Sequence, residues 1–107
     1  MGRNFLGEFE QIVLLAMARV GSEAYAVSIH DELLRATGRS VSIPAVYVTL
    51  SRLEKKELVS SWMGDPSPTR GGRAKRHFEL TDKGRRSLER SRELIDQLWD
   101  GLELEAK

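Results

Sequence analysis

The stretch SIPAVYVTLSRLEKKE, residues 42–57, decides the fold. Ser42 is placed to cap a helix start, because its hydroxyl accepts an orphan backbone N–H. Pro44 fits the first turn, where no intrahelical N–H bond is lost. Ile43, Val46, Leu50 and Leu53 recur at helical spacing and form one apolar stripe. The opposite face carries Ala45, Tyr47, Val48, Ser51 and Arg52. It is small, short-branched and hydroxyl-bearing, whereas a solvated face would carry more Glu and Lys. The charges Glu54, Lys55, Lys56 and Glu57 come only at the far end. Such a helix suits a groove, and its N-terminal half reads as a recognition element for the DNA major groove. A core helix with a small-residue face against a neighbour has the same period, and periodicity alone does not separate the two.

Working outward, residues 24–37 (AYAVSIHDELLRAT) predict a preceding helix with Ala26, Ile29, Leu33 and Ala36 inward, closed by Gly38. Arg39-Ser40-Val41 is then a short turn, and two helices so joined match helix-turn-helix. Earlier still, residues 6–20 (LGEFEQIVLLAMARV) place Phe9, Ile12, Val13, Ala16 and Val20 on one face. Leu14, Leu15 and Met17 widen it nearly all round, which predicts burial on more than one side, the second side against another subunit. Downstream, LVSSWM (residues 58–63) reads as a strand and DPSPTRGG (65–72) as a turn. RAKRHFEL (73–80) reads as the returning strand. Thr81 caps a last helix expected to run to about Leu102, with Leu88, Ser91, Ile95, Leu98 and Leu102 at 3-4 spacing and Leu94 and Trp99 beside them. That stripe has little domain left to cover it and reads as a pairing surface for a second copy; the alternative is a helix folded back on its own core.

A chain of 107 residues with 40% hydrophobic and 31% charged side chains has room for one globular domain. It lacks cysteine, so disulfides and thiolate metal sites are excluded. No apolar run approaches the roughly 20 residues of a bilayer span, and a cytoplasmic protein is expected. The net charge of +1 hides a pattern. Residues 1–63 are neutral. Residues 64–92 hold Arg70, Arg73, Lys75, Arg76, Lys83, Arg85, Arg86, Arg90 and Arg92 against Asp65, Glu79, Asp82 and Glu89. Residues 93–107 hold Glu93, Asp96, Asp100, Glu103 and Glu105 against Lys107. The local basic block is a candidate phosphate-binding surface.

The ordered motifs carry a resemblance. They are Tyr25-Ala26-Val27, Ser42-Ile43-Pro44-Ala45-Val46-Tyr47 with Leu50, Arg52, Leu53 and Glu54, Glu57-Leu58-Val59, Gly71-Gly72-Arg73-Ala74-Lys75-Arg76 with Phe78, and Leu80-Thr81-Asp82-Lys83-Gly84. Together they resemble the PadR family of bacterial winged-helix regulators, in the short form with a single C-terminal helix. The resemblance implies a mainly α fold with a small β-hairpin (α+β). Residues 1–80 would form a winged helix-turn-helix DNA-binding domain, and residues 81–107 a dimerisation helix packed with the first helix as one unit. It implies a sequence-specific repressor that binds double-stranded DNA as a homodimer at an inverted-repeat operator. A winged helix used for protein contact, or a drug-binding dimer without DNA readout, is the competing class.

The expected DNA-contacting residues are Ser42, Pro44, Ala45, Tyr47, Val48, Thr49, Ser51 and Arg52 on the third helix, and Arg70, Gly72, Arg73, Lys75 and Arg76 on the wing. Tyr47 has a second reading as a partly buried core residue, and Ser42 and Thr49 as capping or surface groups. The expected dimer interface is Phe9, Val13, Leu88, Leu94, Ile95, Leu98, Trp99 and Leu102. The resemblance also implies an aromatic small-molecule effector between subunits, near Ile95 and Trp99. Trp99 lies about one turn beyond the expected place, so a dimer-core tryptophan is the favoured reading. His30 and His77 sit in different elements and read as structural rather than metal-binding. No nucleophile–base pair is visible, Asp31 and Glu32 falling on different helix faces. No enzyme and no cofactor is expected.

Overall fold

The computed structural model describes residues 6–64 and 74–104. Three helices come first: α1 over Glu8–Val20, α2 over Ala26–Thr37 and α3 over Ile43–Lys55. Strands β1 (Val59–Met63) and β2 (Arg76–Leu80) follow, then α4 over Asp82–Trp99. This is the α+β winged-helix arrangement.

Each helix boundary has a local cause. At the head of α1 the Glu10 carboxylate accepts the Gly7 N–H at 3.1 Å, a reach-back from the first turn. Gly38 closes α2 in the left-handed region at φ 73°, its N–H bonded to Leu34 O. The Ser42 hydroxyl accepts the Ala45 N–H at 3.1 Å and starts α3. At its other end, Leu58 N–H bonds Leu53 O at 3.0 Å and Glu57 N–H bonds Glu54 O at 2.9 Å. That is a Schellman ending, with Glu57 at φ 66° where glycine is usual. The Thr81 hydroxyl accepts the Gly84 N–H at 3.0 Å and starts α4. This helix ends at Trp99, three residues short of the expected Leu102, because Asp100 leaves the helical region and Gly101 turns the chain at φ 75°.

The core lies where α1, α2 and α3 meet the hairpin. Leu14, Met17, Ile29, Leu33, Val46, Leu50, Leu53 and Val59 are fully buried there, with Phe78 closing the β2 side. Each such side chain contributes roughly 1.5–3 kcal/mol of transfer free energy. Val13 is also fully buried. It fills the chain's own core, which corrects its expected place in a subunit interface; Leu15, half exposed, is the α1 residue left outside. Ala36 and Ile43 are exposed rather than inward. Ala24, just before α2, takes up core space instead.

The strands pair antiparallel from Val59↔Leu80 to Met63↔Arg76. β2 begins at Arg76, later than the expected Arg73. Its far edge is also engaged: Phe78 N–H bonds Ala24 O at 2.9 Å, and His77 bridges to Tyr25. The wing is thereby anchored to the segment that opens α2. Surface ion pairs Arg39–Glu8 and Lys56–Glu10 join α1 to the turn between α2 and α3 and to the end of α3.

Candidate nucleic-acid interface

α3 divides cleanly by burial. Val46, Thr49, Leu50 and Leu53 point into the core. Ser42, Pro44, Ala45, Tyr47, Val48 and Arg52 are exposed, and Ser51 is half-buried. Tyr47 and Val48 stand 43% and 51% exposed, adjacent on the outward face. Thr49 is 4% exposed, and the expectation that it meets DNA is corrected. It lies three residues after Val46 and so falls on the inward ridge. The Tyr47 ring meets Phe78 edge-on at 6.2 Å, while its outer part stays in solvent. Arg52 lies near Glu10, and against burial, which raises that carboxyl, its charge, after Lys56, helps hold it below its ordinary value.

The wing cations divide in the same way. Arg70, Gly72 and Arg73 lie outside the described residues. Lys75 Nζ sits 4.3 Å from the centroid of the Tyr25 ring, a cation–π contact that steers the ammonium along the α2 side of the hairpin. Arg76 is exposed and donates from Nη1 to Ser61 Oγ at 3.0 Å. Ser61 in turn donates to the Glu54 carboxylate at 2.7 Å. A chain of hydrogen bonds therefore links the end of α3 to both wing strands. Glu54 and Ser61 escaped the sequence reading. Ser61 and Arg76 are diagonal neighbours across the ladder, and only the register reveals it.

His77 stacks on Trp62 at 5.7 Å and meets Tyr25 edge-on at 6.0 Å. Both histidines are set in packing or hydrogen bonds, and among the described residues no group of three His, Asp or Glu side chains converges on a metal position. No described helix is long and apolar enough to cross a membrane.

A family model, that of the transcriptional regulator PadR-like family, matches residues 13–90. The chain belongs to the PadR-like family. Its members are transcriptional regulators with a winged-helix DNA-binding fold, not enzymes. An uncharacterized protein of Lysinibacillus sphaericus is 29% identical over 106 residues, covering 91% of this chain and 93% of the relative. A PadR-like transcription factor from Bacteroides fragilis superposes with a TM-score of 0.70 at 25% identity, over 86% of this chain and 84% of its own. A winged-helix DNA-binding protein from STIV superposes with a TM-score of 0.69 at 17% identity, over 92% and 99% of the two chains, a likeness of fold.

In this PadR-like chain the last helix packs on its own domain only at its beginning. Gly84 is buried and Leu88 half-buried against the core. Leu94, Ile95, Leu98 and Trp99 are 48–70% exposed, and Leu102 beyond the helix is 51% exposed. Phe9 on α1 is half-buried with the Arg39 guanidinium 5.9 Å from its ring centroid. Between α1 and α4 runs a cleft of about 690 Å³, lined by the apolar Leu15, Ala18, Leu80, Leu88 and Ile95 and by the charged Arg85, Glu89, Arg92 and Asp96. Ile95 lines it and Trp99 does not.

Proposed function

We propose that this chain is a cytoplasmic, homodimeric repressor that binds an inverted-repeat operator in double-stranded DNA. The observation that carries the reading is the outward face of α3. Pro44, Ala45, Tyr47 and Val48 are exposed and uncharged, ahead of Arg52 in the chain. Such a face fits base edges and thymine methyls, while Ser42, Arg52, Arg70, Arg73, Lys75 and Arg76 supply phosphate contacts. Residues 81–107 supply the pairing surface. The row from Leu94 to Leu102 is apolar and uncovered within one chain, and burying it against a second copy removes that area from water. A two-fold dimer would present its two α3 helices about 34 Å apart, or a multiple of it, on successive turns of B-DNA. A flat aromatic effector between the subunits would enter the α1–α4 cleft beside Ile95.

The test is selection of bound sequences from random duplex DNA, followed by footprinting of the winner. Two symmetry-related half-sites about one helical turn apart are expected. Enrichment of a single asymmetric site, or of none, would overturn the reading.

A further inference from the structure

Lys75 is exposed at the base of the wing, one residue before β2. Its carbonyl accepts the Gly64 N–H at 2.8 Å, which fixes its backbone to the other limb of the hairpin. Its Nζ lies 4.3 Å from the centroid of the Tyr25 ring. Other cations of the basic block are met by carboxylates: Arg85 pairs with Asp82 and Glu89, and Arg92 with Asp96. A carboxylate fixes a cation and also cancels its charge. An aromatic ring fixes it through the quadrupole and cancels nothing, since the ring has no net charge. Tyr25 therefore holds Lys75 with its charge intact for an anion. Tyr25 is itself well anchored. Its N–H donates to Ser28 Oγ at 3.0 Å and its carbonyl accepts the Ile29 N–H at 2.9 Å, which lock it to the first turn of α2. Its backbone bridges to His77, and its ring meets the His77 imidazole edge-on at 6.0 Å. The imidazole is backed in turn by Trp62, stacked on it at 5.7 Å.

We infer that Tyr25 is a positioning residue for DNA binding: its ring, anchored in the helix-turn-helix, holds the Lys75 ammonium in place before a phosphate arrives. The inference rests on the phosphate contact proposed above for Lys75. A lysine has a long flexible stem, and ordering it when it meets phosphate weakens binding. Tyr25 settles part of that ordering during folding. Because Tyr25 is bonded into the start of α2, the charge is registered against the helix-turn-helix and not against the hairpin alone. Tyr25 acts through Lys75 and need not touch DNA. The gain cannot exceed the strength of the contact that provides it, about two- to five-fold in affinity for a cation–π contact at an exposed site.

Phosphate contacts do not depend on sequence, so the probe is a fluorescent duplex of random sequence, titrated with the full chain over a series of salt concentrations. Lys75→Ala is expected to weaken binding and to lower the log–log salt slope by about one unit. Tyr25→Leu should weaken binding about two- to five-fold at unchanged slope, because the contact still forms but is ordered only on binding. Tyr25→Phe keeps the ring face and should bind as the unsubstituted chain does. In the Lys75→Ala background, Tyr25→Leu should have no further effect. A merely structural role for the ring would weaken both backgrounds alike, and that result would overturn the inference. So would a Tyr25→Phe chain that binds as weakly as Tyr25→Leu. If Tyr25→Leu does not fold, the unsubstituted chain still decides. The Tyr25 ring current should move the Lys75 ε-methylene protons upfield in its NMR spectrum, and signals at their random-coil position would sink the idea. An unsubstituted chain that binds duplex no better than Lys75→Ala overturns the inference and spares the functional reading. One that binds no duplex at all overturns both.

Discussion

A β-carbon on Gly84 would stand 2.2 Å from the carbonyl oxygen of Leu58 and 2.9 Å from a methyl of Leu80. Gly84 is the one buried residue of α4, and through it the last helix lies directly on the turn that joins α3 to the wing. Thr81 completes the joint. Its N–H bonds Leu58 O at 3.1 Å and its hydroxyl bonds Glu57 O at 2.8 Å. Gly84→Ala would gain about 1 kcal/mol of helix propensity. It would also force backbone apart, at a cost of roughly 1–3 kcal/mol or more, since a carbonyl cannot rotate away as a side chain can. A lower melting temperature is expected, with α4 displaced from the hairpin. An unchanged or raised melting temperature would mean that the joint is loose.

Glu57 offers the opposite case. It holds the left-handed position of the α3 ending, and its contact to Lys83 is an exposed pair at 3.8 Å. Such a pair contributes little, whereas a side chain in that backbone region costs about 1 kcal/mol. Glu57→Gly is therefore expected to be neutral to stabilising in denaturant titration, by up to about 0.5 kcal/mol once the added freedom of the unfolded chain is subtracted. A loss above that size would show that the Lys83 contact matters more than its geometry indicates.

Tyr47 and Arg76 should separate sequence reading from phosphate contact. Tyr47→Ala is expected to cost specific binding about 1–3 kcal/mol, with less effect on non-specific DNA. Because the ring also packs on Phe78, Tyr47→Phe is the companion that keeps this contact. Arg76→Ala should weaken binding to all sequences alike and lower the log–log salt slope by about one unit. If the folded Tyr47→Ala protein keeps its specificity ratio while Arg76→Ala loses it, the roles of helix and wing are reversed.

Leu98 tests the pairing surface without touching the core. It is 70% exposed within one chain. Leu98→Asp should leave the far-ultraviolet spectrum unchanged, yet shift sedimentation toward the monomer and abolish cooperative operator binding. A Leu98→Asp protein that remains dimeric would place the interface elsewhere.

Glu32 gives the acid limb of stability. Arg35 and Arg19 hydrogen-bond its carboxylate, at 2.6 Å each to Oε2, and hold it at about 2, well below its ordinary 4.5. A carboxylate depressed on folding contributes fully above its unfolded value and loses that contribution as pH falls through the folded one. The window is therefore from about pH 4.5 down to about 2. Glu32→Gln should flatten the fall in melting temperature across that window and lower stability at neutral pH. An unchanged acid limb would show that the Arg19–Glu32–Arg35 cluster does not persist in solution.

What the sequence determined by itself was local. Ser42, Thr81 and Gly38 mark helix ends because capping depends on residues three or four apart, and the 3-4 spacing of Val46, Leu50 and Leu53 marks a buried stripe for the same reason. The turn between α2 and α3 and the hairpin order follow from chain continuity, and with them the winged-helix plan. The tertiary structure decided what depends on distant partners. Thr49 and Val13 went inward because helix phase is set by what each helix meets, and a hydroxyl or a valine fits either side of a stripe. Ile43 went outward because the core ends one turn later, at Val46. Lys75 reached Tyr25, and Arg76 reached Glu54 through Ser61, because strand register brought together residues 50 and 22 positions apart. Gly84 reads in sequence as one small residue in a helix; only the approach of Leu58 O shows why nothing larger can stand there.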